Sequence, residues 1–143
     1  MVKVPRFHHS ITSLFLAFAF SLIFFSCNKN AGLGGDATLT VYGAHHSNNI
    51  INHAGYPDTV FLKYNVDEFP GTKVTDYDAF FMGTPPEEFV KIDGLKKGKY
   101  FVYMVGRDTA WGATGARVTG GMALKIKRSQ KSDKITLNIP LSE

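Results

Sequence analysis

Residues 89–105 read Phe-Val-Lys-Ile-Asp-Gly-Leu-Lys-Lys-Gly-Lys-Tyr-Phe-Val-Tyr-Met-Val. The pattern is strand, tight connection, strand. Gly94 and Gly98 bracket a Leu-Lys-Lys turn and supply the left-handed backbone angles that such connections often require. The residues after the turn are aromatic and β-branched, the types that suit a pleated, half-buried surface. The chain beyond residue 36 is predicted to form further strands packed around this pair.

Downstream, residues 118–127 alternate, with Met122, Leu124 and Ile126 on one side and Lys125 and Lys127 on the other. That period of two marks a half-buried strand. Residues 134–139 repeat it, with Ile135, Leu137 and Ile139 inward. Upstream, residues 37–42 set Leu39 and Val41 against Thr38, Thr40 and Tyr42, and residues 59–64 put Val60, Leu62 and Tyr64 on one face. Residues 78–82 make another short strand, stopped by Gly83-Thr84-Pro85-Pro86. Polar or glycine-rich loops at 43–57, 65–77 and 107–115 separate these strands. About seven short strands, with no capped helical period, predict an all-β fold, an antiparallel β-sandwich.

The first 26 residues have a different character. Lys3 and Arg6 give a positive start, and residues 14–25 form an almost unbroken apolar run. The run is shorter than the roughly 20 residues of a membrane-spanning helix, so it reads as an export signal. It ends at Phe24-Phe25-Ser26-Cys27, the only cysteine of the chain. This junction resembles the lipobox of bacterial lipoproteins, in a looser version that occurs in Bacteroidetes-type bacteria. The resemblance implies cleavage before Cys27, diacylglycerol on its thiol, and membrane attachment through that lipid. By the same resemblance, Asn28 in place of an aspartate, with no acidic run after it, implies the outer membrane, facing the periplasm. The expected organisation is a signal peptide at 1–26, a flexible glycine-rich tether at 27–36 and a β-sandwich domain at 37–143.

The export signal changes the charge balance. The whole chain carries a formal +4. Loss of Lys3 and Arg6 lowers Lys+Arg from 16 to 14 against 12 Asp+Glu, a net charge of about +2. With mixed charges and no long basic run, nucleic acid is not an expected partner. Apolar residues at 44% and charged residues at 20% exclude an intrinsically disordered chain.

Asp93-Gly-Leu-Lys-Lys-Gly-Lys-Tyr-Phe-Val-Tyr103 resembles a strand junction of prealbumin-like domains, among them transthyretin-like and carboxypeptidase regulatory-like domains and Cna-B-type repeats. The resemblance implies a seven-stranded, prealbumin-like or Ig-like sandwich, and it carries little about function. The transthyretin-related hydrolases of that group end in a Tyr-Arg-Gly-Ser motif. This chain ends Ile-Pro-Leu-Ser-Glu, which argues against their activity.

Three constellations could carry chemistry. His45, His46 and His53 fall within nine positions and could hold Zn²⁺ or Cu²⁺ if a loop gathered them. Adjacent histidines in an extended segment point to opposite faces, and exposed loop histidines explain them as well. Asp67, Glu68, Asp76 and Asp78 surround Pro70-Gly71 and could hold Ca²⁺, or simply solvate a loop. Trp111 lies with Thr109 and Thr114 in a glycine-rich loop. It could stack on a sugar or peptide, or fold back as a plug on one end of the sandwich. No nucleophile motif and no phosphate-cradling loop are present. The expected function is a non-enzymatic binding or scaffolding module of the cell envelope, with an envelope protein or glycan as partner. The alternatives are a metal-binding accessory protein using the three histidines and, behind it, a hydrolase.

Overall fold

The computed structural model describes residues 31–110 and 115–143. These residues form eight strands: β1 (Leu33–His45), β2 (Asn48–Asn49), β3 (Thr59–Tyr64), β4 (Ala79–Met82), β5 (Phe89–Leu95), β6 (Gly98–Asp108), β7 (Ala116–Ile126) and β8 (Lys134–Pro140). Among the described residues the only helical pieces are single 3-10 turns at Val74–Asp76 and Arg128–Gln130. The all-β expectation is met.

The strands make two sheets. In the first, β5 lies antiparallel on one edge of β1 and β8 parallel on the other. The two-residue β2 extends the β5 side, because Gly43 C=O accepts from Ile50 while the next carbonyl, Ala44, accepts from Leu141 on the β8 side. The second sheet runs β4-β3-β6-β7, antiparallel throughout. Inner faces of both sheets share one core. Leu39, Val41, Val90, Ile92, Leu95 and Ile139 come from the first, and Val60, Leu62, Tyr100, Val102, Met104, Val118 and Ile126 from the second.

The stretch 89–105 is central, but it is not a hairpin. β5 pairs with β1 and β6 pairs with β3 and β7, so the Leu-Lys-Lys turn carries the chain from one sheet to the other. Gly94 has φ +79°, and a Cβ at Gly98 would stand 2.7 Å from that of Ala31. Both glycines are therefore needed, for a crossing rather than for a two-residue turn.

The parallel pairing of β1 with β8 departs from the antiparallel expectation, and the crossing explains it. β1 and β6 run toward one end of the sandwich, the upper end, whereas β5 and β7 run away from it. The turn after β7 leads back to the first sheet at its lower end, where β1 also starts. The last strand must then run alongside the first in the same direction. Beyond it, the tail pairs with β7 through Thr119 and Ser142 in both directions, 2.7 and 2.9 Å, joining the two sheets at that edge.

β1 begins at Leu33, so residues 33–36 belong to the sheet and not to a tether. Glycine here permits close approach rather than flexibility. A Cβ on Gly35 would strike the Leu95 carbonyl, and Gly34 has φ +88° beside a register shift against Leu95. Ala31 is also buried, its N–H donating to Asn65 Oδ1 at 2.9 Å. The Tyr100 hydroxyl accepts from Gly32 N–H (2.9 Å) and donates to the Lys96 carbonyl (2.6 Å).

Candidate functional site

The inward phase of three strands runs one step past the apolar core and ends in polar residues at the upper end. On β1 the series is Leu39, Val41, Gly43, His45. On β6 it is Tyr100, Val102, Met104, Gly106, Asp108. The β3 series begins one residue before the strand, at Asp58, and continues through Val60 and Leu62. His45, Asp58 and Asp108 are all buried.

His45 Nδ1 lies 2.7 Å from Asp108 Oδ2, linking the two sheets. Asp108 Oδ1 accepts from Ala110 N–H at 2.9 Å. The His45 hydrogen bond, aided by the Ala110 N–H, holds the Asp108 carboxyl below its ordinary range. It is thus ionised at neutral pH and acts only as an acceptor, so Nδ1 carries the proton and donates. The two side chains are 7% and 11% exposed, which suits an internal tie better than a group that meets solutes.

Asp58 has no such partner. It is 1% exposed, and neither carboxylate oxygen makes a well-formed hydrogen bond among the described residues. Burial pushes its pKa up to about 6, against a smaller opposing pull from the Arg107 backbone N–H. Gly106 makes room for it, since a Cβ there would strike Asp58 Oδ1 and Ile50 Cδ1. Asn52 braces the segment, accepting from Asp58 N–H at 2.9 Å and donating to the carbonyls of Glu87 and Phe89.

The three histidines predicted as a metal site are separated in role. His45 is committed to Asp108, the His46 ring packs on that of His45 with centroids 4.0 Å apart, and His53 Nε2 meets Thr109 Oγ1 at 3.1 Å. Among the described residues no group of three or more His, Cys, Asp or Glu is placed to hold a metal ion. The acids considered for Ca²⁺ are also dispersed. Asp67 pairs with Lys99 at 2.7 Å, and Asp78 with Lys63 at 3.1 Å. Thr109 is engaged with His53, while Trp111, Thr114 and Cys27 lie outside the described residues.

A different surface emerges on the outer face of the second sheet, where residues 65–78 fold back across β3 and β6. Six aromatic rings meet there. Tyr77 stacks on Tyr103 with centroids 5.6 Å apart and planes 16° from parallel. Phe61 touches Tyr77, Phe80 and Tyr103, and Phe69 touches Phe101 and Tyr103. The Tyr77 hydroxyl donates to the Gly71 carbonyl at 2.8 Å, which fixes the loop. Burial, first of all, raises the Tyr77 pKa above the ordinary tyrosine range, so the hydroxyl stays protonated.

This face remains partly open. Phe69, Val74, Phe80 and Met82 are all more than half exposed. A cleft of about 210 Å³ opens beside Tyr77, with Phe61, Val74, Tyr103 and Val105 as apolar walls and Thr59, Thr72 and Arg117 as polar ones. Among the described residues Arg117 makes no ion pair. The sequence offered one signal for this face. Residues 100–105 are apolar without alternation, the pattern of a strand covered on both sides.

Comparisons with protein-family models, curated proteins and solved structures give no match. Among the described residues no helix is long and apolar enough to cross a membrane.

Proposed function

We propose that this protein is a non-enzymatic binding module of the bacterial cell envelope. It is tethered through lipid on Cys27, at the periplasmic face of the outer membrane. Its sandwich is of the prealbumin-like kind, and it meets its ligand, an envelope protein or glycan, on the outer face of the second sheet. One observation carries this reading: the six-ring aromatic face with its open cleft. Soluble sheets of this sort ordinarily turn a polar face to water, and contiguous exposed apolar surface marks interaction sites. At the upper end of the sandwich, by contrast, the buried His45 and Asp108 of β1 and β6 serve to join the sheets.

Two measurements test the reading. Incorporation of labelled fatty acid should be lost in Cys27→Ala. A photo-crosslinking amino acid at position 80 should give a discrete adduct in intact cells, whereas the same group at Thr136, on the outer face of the first sheet, should not. Equal labelling from both positions, or none from either, refutes the assignment of the face.

A further inference from the structure

The aromatic cleft also constrains the chemistry of what it holds. Resting on the reading of this face as the binding surface, we infer that its ligand is an acidic sugar, a pyranose ring bearing a carboxylate, as in a uronic acid residue of a polysaccharide.

Size is the first argument. At about 210 Å³ the cleft falls below the roughly 300–1,000 Å³ of sites that enclose drug-sized molecules. It admits one ring, not an extended apolar body. Shape is the second. A pyranose has a flat C–H face and a hydroxyl-bearing edge, and the cleft offers a matching pair of surfaces. Tyr77 and Tyr103, 16° from parallel, supply the flat side. Thr59, Thr72 and Arg117 lie on the polar side, where the Thr59 hydroxyl donates to the Pro57 carbonyl at 3.3 Å and keeps its oxygen as an acceptor. The platform is set before any ligand arrives, because the Gly71 carbonyl pins the Tyr77 hydroxyl. Preorganisation of this kind lowers the entropy lost on binding. A purely apolar side chain in the same place would cover Thr72 and Arg117 without giving them partners, which is unfavourable.

Charge is the third. The neighbouring acids Asp67 and Asp78 are paired with Lys99 and Lys63. Asp76 belongs to the loop that carries Tyr77 and does not line the cleft. Arg117 does line it, from β7, and makes no ion pair among the described residues. A guanidinium presents two parallel N–H donors that match a carboxylate.

The test uses the full chain in detergent micelles and three probes: a galacturonic acid trisaccharide, the neutral galactose trisaccharide, and an N-acetylated, amidated Phe-Phe dipeptide. Binding is read from the amide resonances of Tyr77, Tyr103 and Arg117 during titration. The acidic trisaccharide should bind about tenfold or more tighter than the neutral one, the scale of a charge-assisted contact. Arg117→Gln should bring its affinity down to that of the neutral sugar, and Arg128→Gln should leave the preference in place. Tyr77→Phe, which keeps the ring and frees the loop, should weaken both sugars. Equal affinity for the two trisaccharides overturns the acidic-sugar assignment but leaves the face as a binding surface. Tighter binding of the dipeptide does the same. If no probe moves these resonances, the sugar assignment fails, and the crosslinking result at position 80 decides the wider reading separately.

Discussion

Replacement of Asp58 by Asn should stabilise the protein at neutral pH and change little in acid. The carboxyl is 1% exposed, neither oxygen makes a well-formed hydrogen bond among the described residues, and its pKa is raised from 3.8 to about 6. Folding therefore favours the protonated form. Between these two values the native state holds a proton that the unfolded chain has released, so stability falls as pH rises through this window. The full size follows from about 1.4 kcal/mol per pH unit. A rise of about two units makes ionised Asp58 a burden of about 3 kcal/mol, absent below about pH 4 and complete above about pH 7. Asn keeps the shape and never ionises. Urea unfolding of wild type and Asp58→Asn at about pH 4 and about pH 7.5 should show near-equal stabilities in acid and a gain of about 2–3 kcal/mol for the variant at the higher pH. A variant less stable than wild type at the higher pH would refute the reasoning, because it would mean that the ionised carboxylate has a stabilising partner.

Gly106→Ala should destabilise by about 1–3 kcal/mol in the same assay, since its Cβ meets Asp58 and Ile50. Combined with Asp58→Asn, the two effects should be non-additive. His45→Ala should lower stability at about pH 7 by about 2–3 kcal/mol, leaving the Asp108 carboxylate with the Ala110 N–H in a buried place. Because the folded-state pKa of Asp108 is depressed, its contribution is present above its unfolded value and lost as pH falls through the folded one. The penalty in His45→Ala should accordingly shrink in acid unfolding below about pH 4. Tyr100→Phe removes a hydroxyl that ties residues 32 and 96 together. It should cost about 1–2 kcal/mol and speed amide exchange at Leu33 and Gly34, which hydrogen-exchange mass spectrometry would record.

Alternation made most of the sandwich legible, because a strand with one face in the core must repeat every two residues. Val60 and Leu62, Met122 to Ile126 and Ile135 to Ile139 all fall on the predicted sides. The same parity, carried past the last apolar residue, places His45, Asp58 and Asp108 inward. Composition hid them, since His, Asp and Gly near a strand end read as loop. Sheet membership was not legible at the 94–98 turn. Two glycines around a short polar run serve a hairpin and a crossing equally, and only the partners of β5 and β6 distinguish the two. The glycines of residues 32–35 misled for a similar reason. Flexibility and close backbone approach call for the same residue, and the contact that decides, with Leu95, is some sixty positions away. The candidate site was harder still, because the loop at 65–77 gives no local sign that it lies across β6.

That loop is where stability and binding part company. β5 and β8 face water with Lys91, Asp93, Lys134, Thr136 and Asn138, the ordinary way to finish a sheet whose other side is buried. β6 instead places Phe101 and Tyr103 outward, opposite Ala123 and Gly121 on β7. The small neighbours make space for the rings: a Cβ at Gly121 would stand 2.7 Å from Phe101 Cε1. Covering those rings recruits Phe69 and Tyr77 from the loop, yet the cover stops short, and Phe69, Val74, Phe80 and Met82 stay more than half exposed. Phe101 and Tyr103 are thereby buried, so the apolar surface left for a partner is that of Phe69, Val74, Phe80 and Met82. Their arrangement is better explained by a ligand that completes the burial, which is why the outer face, and not the histidine-rich end, carries the functional assignment.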